Sequence, residues 1–181
     1  MSQHLTDPKH PQDQAEILSE QIKTSDCWTL GIEISPIEIQ SGRWMTIEWK
    51  IIQLWPDRSS AEKDLQTNPD NRFITFLDLQ LYRDERTAYR FNLNSVVPHL
   101  FVQCDEDETD NSVIPNEITA AQDTAGAWLD GEHIVLEYPM PDAIQCWLEA
   151  YMAEHGELIE HKKKRRYADL DKEKDTGRAK R

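Results

Sequence analysis

Apolar and polar residues alternate along much of the N-terminal half of the chain. Leu30, Ile32 and Ile34 alternate with Gly31 and Glu33, which predicts a strand over Cys27–Ile39 that ends near Pro36, since proline cannot donate to a ladder. Ser41-Gly42 then turns the chain. Over Arg43–Trp55, Met45, Ile47, Trp49 and Ile51 fall on one face and Trp44, Thr46, Glu48 and Lys50 on the other. A long second strand is predicted, with Met45, Ile47 and Trp49 towards the core and Trp44 away from it. At Ile51-Ile52-Gln53-Leu54-Trp55 it is buried on both faces or bulged. Leu77, Leu79 and Leu81, then Tyr89, Phe91 and Leu93, alternate with polar residues on either side of Asp84-Glu85-Arg86, and predict a β-hairpin within Arg72–Val102. His99–Cys104 is a fifth strand and His133–Tyr138 a short further one.

The period changes towards the C-terminus. Thr119-Ala120-Ala121-Gln122 has the form of a capping box, opening a helix that carries Ala121, Ala125, Trp128 and Leu129 and stops at Gly131. Pro141 and Asp142 suit the first turn of a second helix, whose stripe runs Ala143, Ile144, Trp147, Leu148, Tyr151 and Met152, with Gly156 as its C′ residue. One helical turn is expected around Ala61–Leu65, in the polar connection Asp57–Asn71. The expected fold is α+β: a single antiparallel sheet of about five to six strands with one or two C-terminal helices packed on it. The expected organisation is a polar leader over 1–25, one domain over 26–156 and a charged tail over 157–181, too polar to pack. No internal repeat is visible.

Charge divides this plan unevenly. The formal net charge is −14, but residues 1–155 carry 10 Lys+Arg against 28 Asp+Glu, whereas residues 156–181 carry 10 against 6. An acidic body repels nucleic acid and anionic lipid, so anion binding would be confined to the tail, where Lys162, Lys163, Lys164, Arg165 and Arg166 are consecutive. That run suits a solvated tail, a protein or self contact, or a polyanion. The acidic run Asp105–Asp110 lacks the glycine and closing glutamate of an EF-hand loop and is expected to be a solvated loop. Three cysteines, Cys27, Cys104 and Cys146, form no C-x-x-C pair and cannot all be paired within the chain. The first residues lack the apolar core of a signal peptide and no run is long enough to span a membrane, so a cytoplasmic location is expected.

Recognisable catalytic patterns are missing. There is no phosphate-binding glycine loop, no nucleophile elbow and no zinc-protease pair, and six glycines leave little from which to build such a loop. No cofactor and no metal is expected. His99 and His133 lie in predicted strands without a second ligand at metal spacing. Asp26 beside Cys27 would raise its thiol pKa, away from reactivity. An unfamiliar active site would need polar groups to converge, for instance around His99, Tyr89 and Asp130.

Three blocks carry a resemblance. Asp84–Leu93 continuing into Pro98–Val102, Ala127–Glu132 continuing through Glu137–Pro141 to the helix with Trp147, and the basic run after it are similar to a bacterial domain-of-unknown-function family, family 3305. The resemblance covers roughly residues 28–166. Genes of this family commonly lie beside those for molybdenum- or tungsten-dependent formate dehydrogenases and their accessory proteins. The resemblance therefore implies a non-catalytic accessory protein in assembly or regulation of such an enzyme, with a dehydrogenase subunit or its maturation proteins as partner. Members have been labelled cofactor nucleotidyltransferases, but this chain lacks the glycine-rich loop that activity requires. Arg43, Trp44, Tyr82, Arg90 and Lys162–Arg166 are the expected contact residues. The alternative is anion or nucleic-acid binding through the basic tail, although nucleic acid is not the expected partner.

Overall fold

A computed structural model of the chain describes residues 22–68, 74–107 and 112–157. The expected leader up to residue 21, positions 108–111 with the end of the acidic run Asp105–Asp110, and the basic run Lys162–Arg166 lie outside the described residues.

Strand β1 (Cys27–Ser41) pairs antiparallel with β2 (Trp44–Trp55) across the two-residue turn Gly42-Arg43. Gly42 takes φ 63 at the first turn position, the conformation that glycine adopts without a Cβ penalty and that a type II′ hairpin requires. The register shifts between Glu33 and Ile34 because β2 carries one extra residue, Ile52, so of the two alternatives for Ile51–Trp55 the bulge is the one present. Helix α1 (Arg58–Thr67) follows, a full element where one turn was expected. Asp57 starts it by accepting a hydrogen bond from the Ser60 amide, and the Ser59 and Ser60 hydroxyls also donate to that carboxylate. Strand β3 (Ile74–Gln80) then returns to the free side of β1, giving the order β2-β1-β3.

The second half repeats this plan. After α2 (Arg86–Leu93), strand β4 (His99–Glu106) forms a hairpin with β5 (Val113–Thr119), and the register again shifts by one extra residue, Asn116. Helix α3 (Gln122–Asp130) leads to β6 (Ile134–Pro139), which pairs with the free side of β4, and α4 (Asp142–His155) ends the fold. The order β5-β4-β6 matches β2-β1-β3 term for term. The halves share a succession of hairpin, helix, strand, helix that was invisible in the sequence.

The expected single sheet is thus two three-stranded sheets. A bulge increases local twist, and with one in each hairpin the edges turn towards the other sheet instead of extending one plane. β3 comes to lie beside β5, and β2 beside β6. Between them is one core, with Leu30, Ile32, Leu79, Leu100 and Val102 from the strands and Tyr89, Ile144, Leu148 and Met152 from the helices, each buried. Burial of each such side chain contributes about 2 kcal/mol.

The expected second arm of the Arg72–Val102 hairpin is also corrected, because Tyr89, Phe91 and Leu93 belong to helix α2. Ala88, Tyr89 and Asn92 share its buried face at helical spacing, while Phe91 is 68% exposed, which a strand with a common inward face for Tyr89 and Phe91 would not allow. The capping box is corrected too. Ala121, not Thr119, stands at the N-cap of α3, and the Thr119 hydroxyl accepts a hydrogen bond from the Ala121 amide instead. The stops at Gly131 and Gly156 are where the sequence placed them, with Gly156 at φ 70.

Candidate interaction surface

Strands β1 and β2 are far longer than the five to six residues usual for a strand, and the core covers only part of them. Ile32, Ile51, Leu54 and Trp55 are buried, Ile34 and Trp49 are half-buried at the margin, and from there to Gly42 the pair projects as a two-stranded arm. Paired residues of a hairpin point to the same face. One face of the arm carries Ile37 and Ile39 with Thr46 and Trp44, and the other carries Pro36, Trp49, Ile47 and Met45. Both faces carry apolar side chains, with Glu48 on the first face and Glu38 and Gln40 on the second. Trp44 is 79% exposed, Ile47 64% and Met45 62%.

Trp44 is exposed, as expected, and Arg43 lies beside it at the tip. The expectation that Met45 and Ile47 point to the core is corrected: they share a face with Trp49, but nothing among the described residues packs over that face beyond Trp49. Alternation reports that a strand has two unlike faces, not whether the core extends far enough to cover one. A signal was available in strand length, together with Pro36 inside the run.

The remaining expected contacts lie elsewhere. Tyr82 follows the end of β3, and the start of β1 pairs there, Cys27 opposite Gln80. Tyr82 and Trp44 therefore sit at opposite ends of a 15-residue strand, roughly 45 Å apart at the rise of an extended chain. Arg90 is engaged: its guanidinium donates to both carboxylate oxygens of Glu149 at 2.8 and 3.0 Å, and its Nε lies 2.8 Å from Glu157. It ties α2 to α4 and to Glu157, two residues beyond it. Lys162–Arg166 lie outside the described residues.

The buried polar groups are used by the fold. Asn92 donates to the carbonyls of His99 and Ala120 and accepts from the His99 amide, which joins α2 to the start of β4 and the end of β5. The Tyr89 hydroxyl donates to Glu85 at 2.5 Å and accepts from the Tyr82 amide, and Thr124 donates to the other Glu85 oxygen. Burial, then the Glu85 carboxylate, holds the Tyr89 phenol above its ordinary range. Asp130 is exposed at the end of α3 and His99 half-buried in β4. A groove of about 520 Å³ beside α3 is lined by Phe101, Ala125, Leu129 and Val135, with Glu137 its single ionisable side chain.

Cys27, Cys104 and Cys146 are free thiols, half-buried, buried and exposed respectively. Burial pushes the Cys104 thiol up to about 12, and burial, Asp78 and Asp26, in that order, raise Cys27. Among the described residues, no three His, Cys, Asp or Glu side chains are placed to hold a metal ion. Nor is any helix there long and apolar enough to cross a membrane.

A family model described as "Protein of unknown function (DUF3305)" matches residues 32–166, from the middle of β1 to the end of the basic run. No curated protein and no solved structure matches the chain.

Proposed function

From the premise that this chain belongs to the DUF3305 family, we propose that it is a cytoplasmic, non-catalytic accessory protein that docks on another protein through the β1–β2 arm. One observation carries this reading. Three large apolar side chains, Trp44, Met45 and Ile47, are held out on a paired ribbon that the core does not need. Met45 and Ile47 share one face and Trp44 lies on the other at the tip. Large exposed apolar side chains gathered at one end of a domain mark a contact site, and tryptophan and arginine, which meet here at Arg43-Trp44, are among the residues that most often anchor one. Three free thiols accord with a reducing compartment. The gene neighbourhood that the family resemblance implies makes a molybdenum- or tungsten-dependent formate dehydrogenase, or one of its maturation proteins, the proposed partner.

The test is co-purification from cells that express such a dehydrogenase. The full chain should recover the enzyme or a maturation protein, and a Trp44→Ser, Met45→Ser variant with an unchanged circular dichroism spectrum should lose it. Recovery of neither by the full chain would overturn the proposed partner. Recovery that survives the double substitution but is lost on removing 158–181 would move the contact from the arm to the tail.

A further inference from the structure

We infer that the start of the C-terminal tail folds back on α2, where Leu158 and Ile159 cover the exposed ring of Phe91 and fix the place from which the basic run leaves the body. This contact lies apart from the arm and does not depend on it. Helix α2 has two unlike faces. Ala88, Tyr89 and Asn92 are buried, whereas Thr87, Phe91 and Asn94, spaced by four residues and then three, form an exposed stripe. Phe91 is the largest side chain of that stripe and is 68% exposed. It stands in a hollow of about 230 Å³ whose other walls are Arg86, Thr87, Arg90, Asn94 and Glu157. Small-molecule sites run from about 300 to 1,000 Å³, so the hollow suits one or two side chains better than a ligand.

The route of the chain supplies those side chains. Gly156 follows α4 at φ 70, which ends the helix and turns the backbone aside. There Arg86 donates to the carbonyls of His155 and Gly156, the second at 2.8 Å. One turn further along α2, the Arg90 Nε lies 2.8 Å from the Glu157 carboxylate. The chain thus advances along α2 from its first turn towards Phe91, and Glu157 already forms a wall of the hollow. At about 3.3 Å per residue, Leu158 and Ile159 end within roughly 7 Å of Glu157.

The chemistry of the tail agrees with that route. Leu158 and Ile159 are the only adjacent branched aliphatic residues in 158–181, a segment that is otherwise mostly charged. Laying them on Phe91 removes apolar surface from water on both sides of the contact, and closing so short a loop costs little chain entropy. The basic run begins at Lys162, three residues after Ile159. Its cations are therefore tethered beside α2.

Nuclear magnetic resonance of the full chain with labelled methyl groups tests the inference. Methyl signals of Leu158 or Ile159 should be shifted upfield by the Phe91 ring and show nuclear Overhauser contacts to it. Both effects should vanish in Phe91→Ala, an exposed substitution that should keep the parent circular dichroism spectrum. Reciprocally, the Phe91 ring signals should move in a Leu158→Ser, Ile159→Ser variant. Methyl signals that match those of a free peptide of residues 157–181, or that do not respond to Phe91→Ala, overturn the inference. So does a shift that fades on dilution, since the cover would then be the tail of a second copy. None of these signals depends on Trp44 or Met45, so their outcome is separate from that of the co-purification.

Discussion

At the scale of single residues, the helices are held to the sheets by a few satisfied polar side chains. Asn92 makes three hydrogen bonds to backbone from a buried position. Asn92→Ala would leave the His99 amide and two carbonyls without partners, and the expected loss is about 3 kcal/mol, from the cost of orphaned buried groups. The urea midpoint, at unchanged slope, measures it. Serine at 92 cannot reach all three groups and should recover little. Nothing in the sequence marks Asn92 as a clamp, because its acceptors, His99 and Ala120, come from strands that meet it only in the folded chain. Cys104 is the opposite case: its polar-apolar alternation with Leu100 and Val102 was readable, and it is buried as that pattern implies.

The element scale separates what packs from what projects. Arg86 donates from one guanidinium nitrogen to the carbonyls of His155 and Gly156, so it closes the C-terminal end of α4 while its Nε donates to Arg83. Arg86→Ala should cost about 1–2 kcal/mol and raise amide exchange in the last turn of α4 first, which hydrogen exchange resolves. The arm should behave in the reverse way. Replacing Ile37–Glu48 by a two-residue turn removes no residue described as buried, so the thermal midpoint should stay within a few degrees of the parent, at about 0.5 kcal/mol or less. A large drop would mean that the arm belongs to the core and not to a contact surface.

Across the whole molecule, burial has raised the pKa of several groups that lose a proton at high pH. Cys104 stands at about 12 against an ordinary 9.0, Cys27 is raised from the same value, and Tyr89 and Tyr151 are raised from 10.0, each chiefly by desolvation. The unfolded chain releases these protons first. Stability from this source is therefore complete below pH 9.0 and declines as pH rises through the folded values. Urea midpoints should fall above that pH and stay level just below it, and Cys104→Ala should make the decline shallower. Asp57 works in the other direction. Hydrogen bonds from Ser59 and Ser60 lower its pKa from 3.8, so its contribution is present above that value and lost as pH falls below it.

Hydrophobic period and turn chemistry alone determined most of the strands, the stop of α3 at Gly131 and the stop of α4 at Gly156, because each depends on neighbours close in the chain. They could not determine whether Tyr89, Phe91 and Leu93 form a strand or a helix, since a short run satisfies both periods until burial chooses Tyr89 and Asn92 over Phe91. Nor could they show two sheets of identical plan, or that Met45 and Ile47 point into solvent. Those outcomes depend on how far the core extends and on which edges meet around it, and that is decided only when residues distant in the chain compete for the same buried volume.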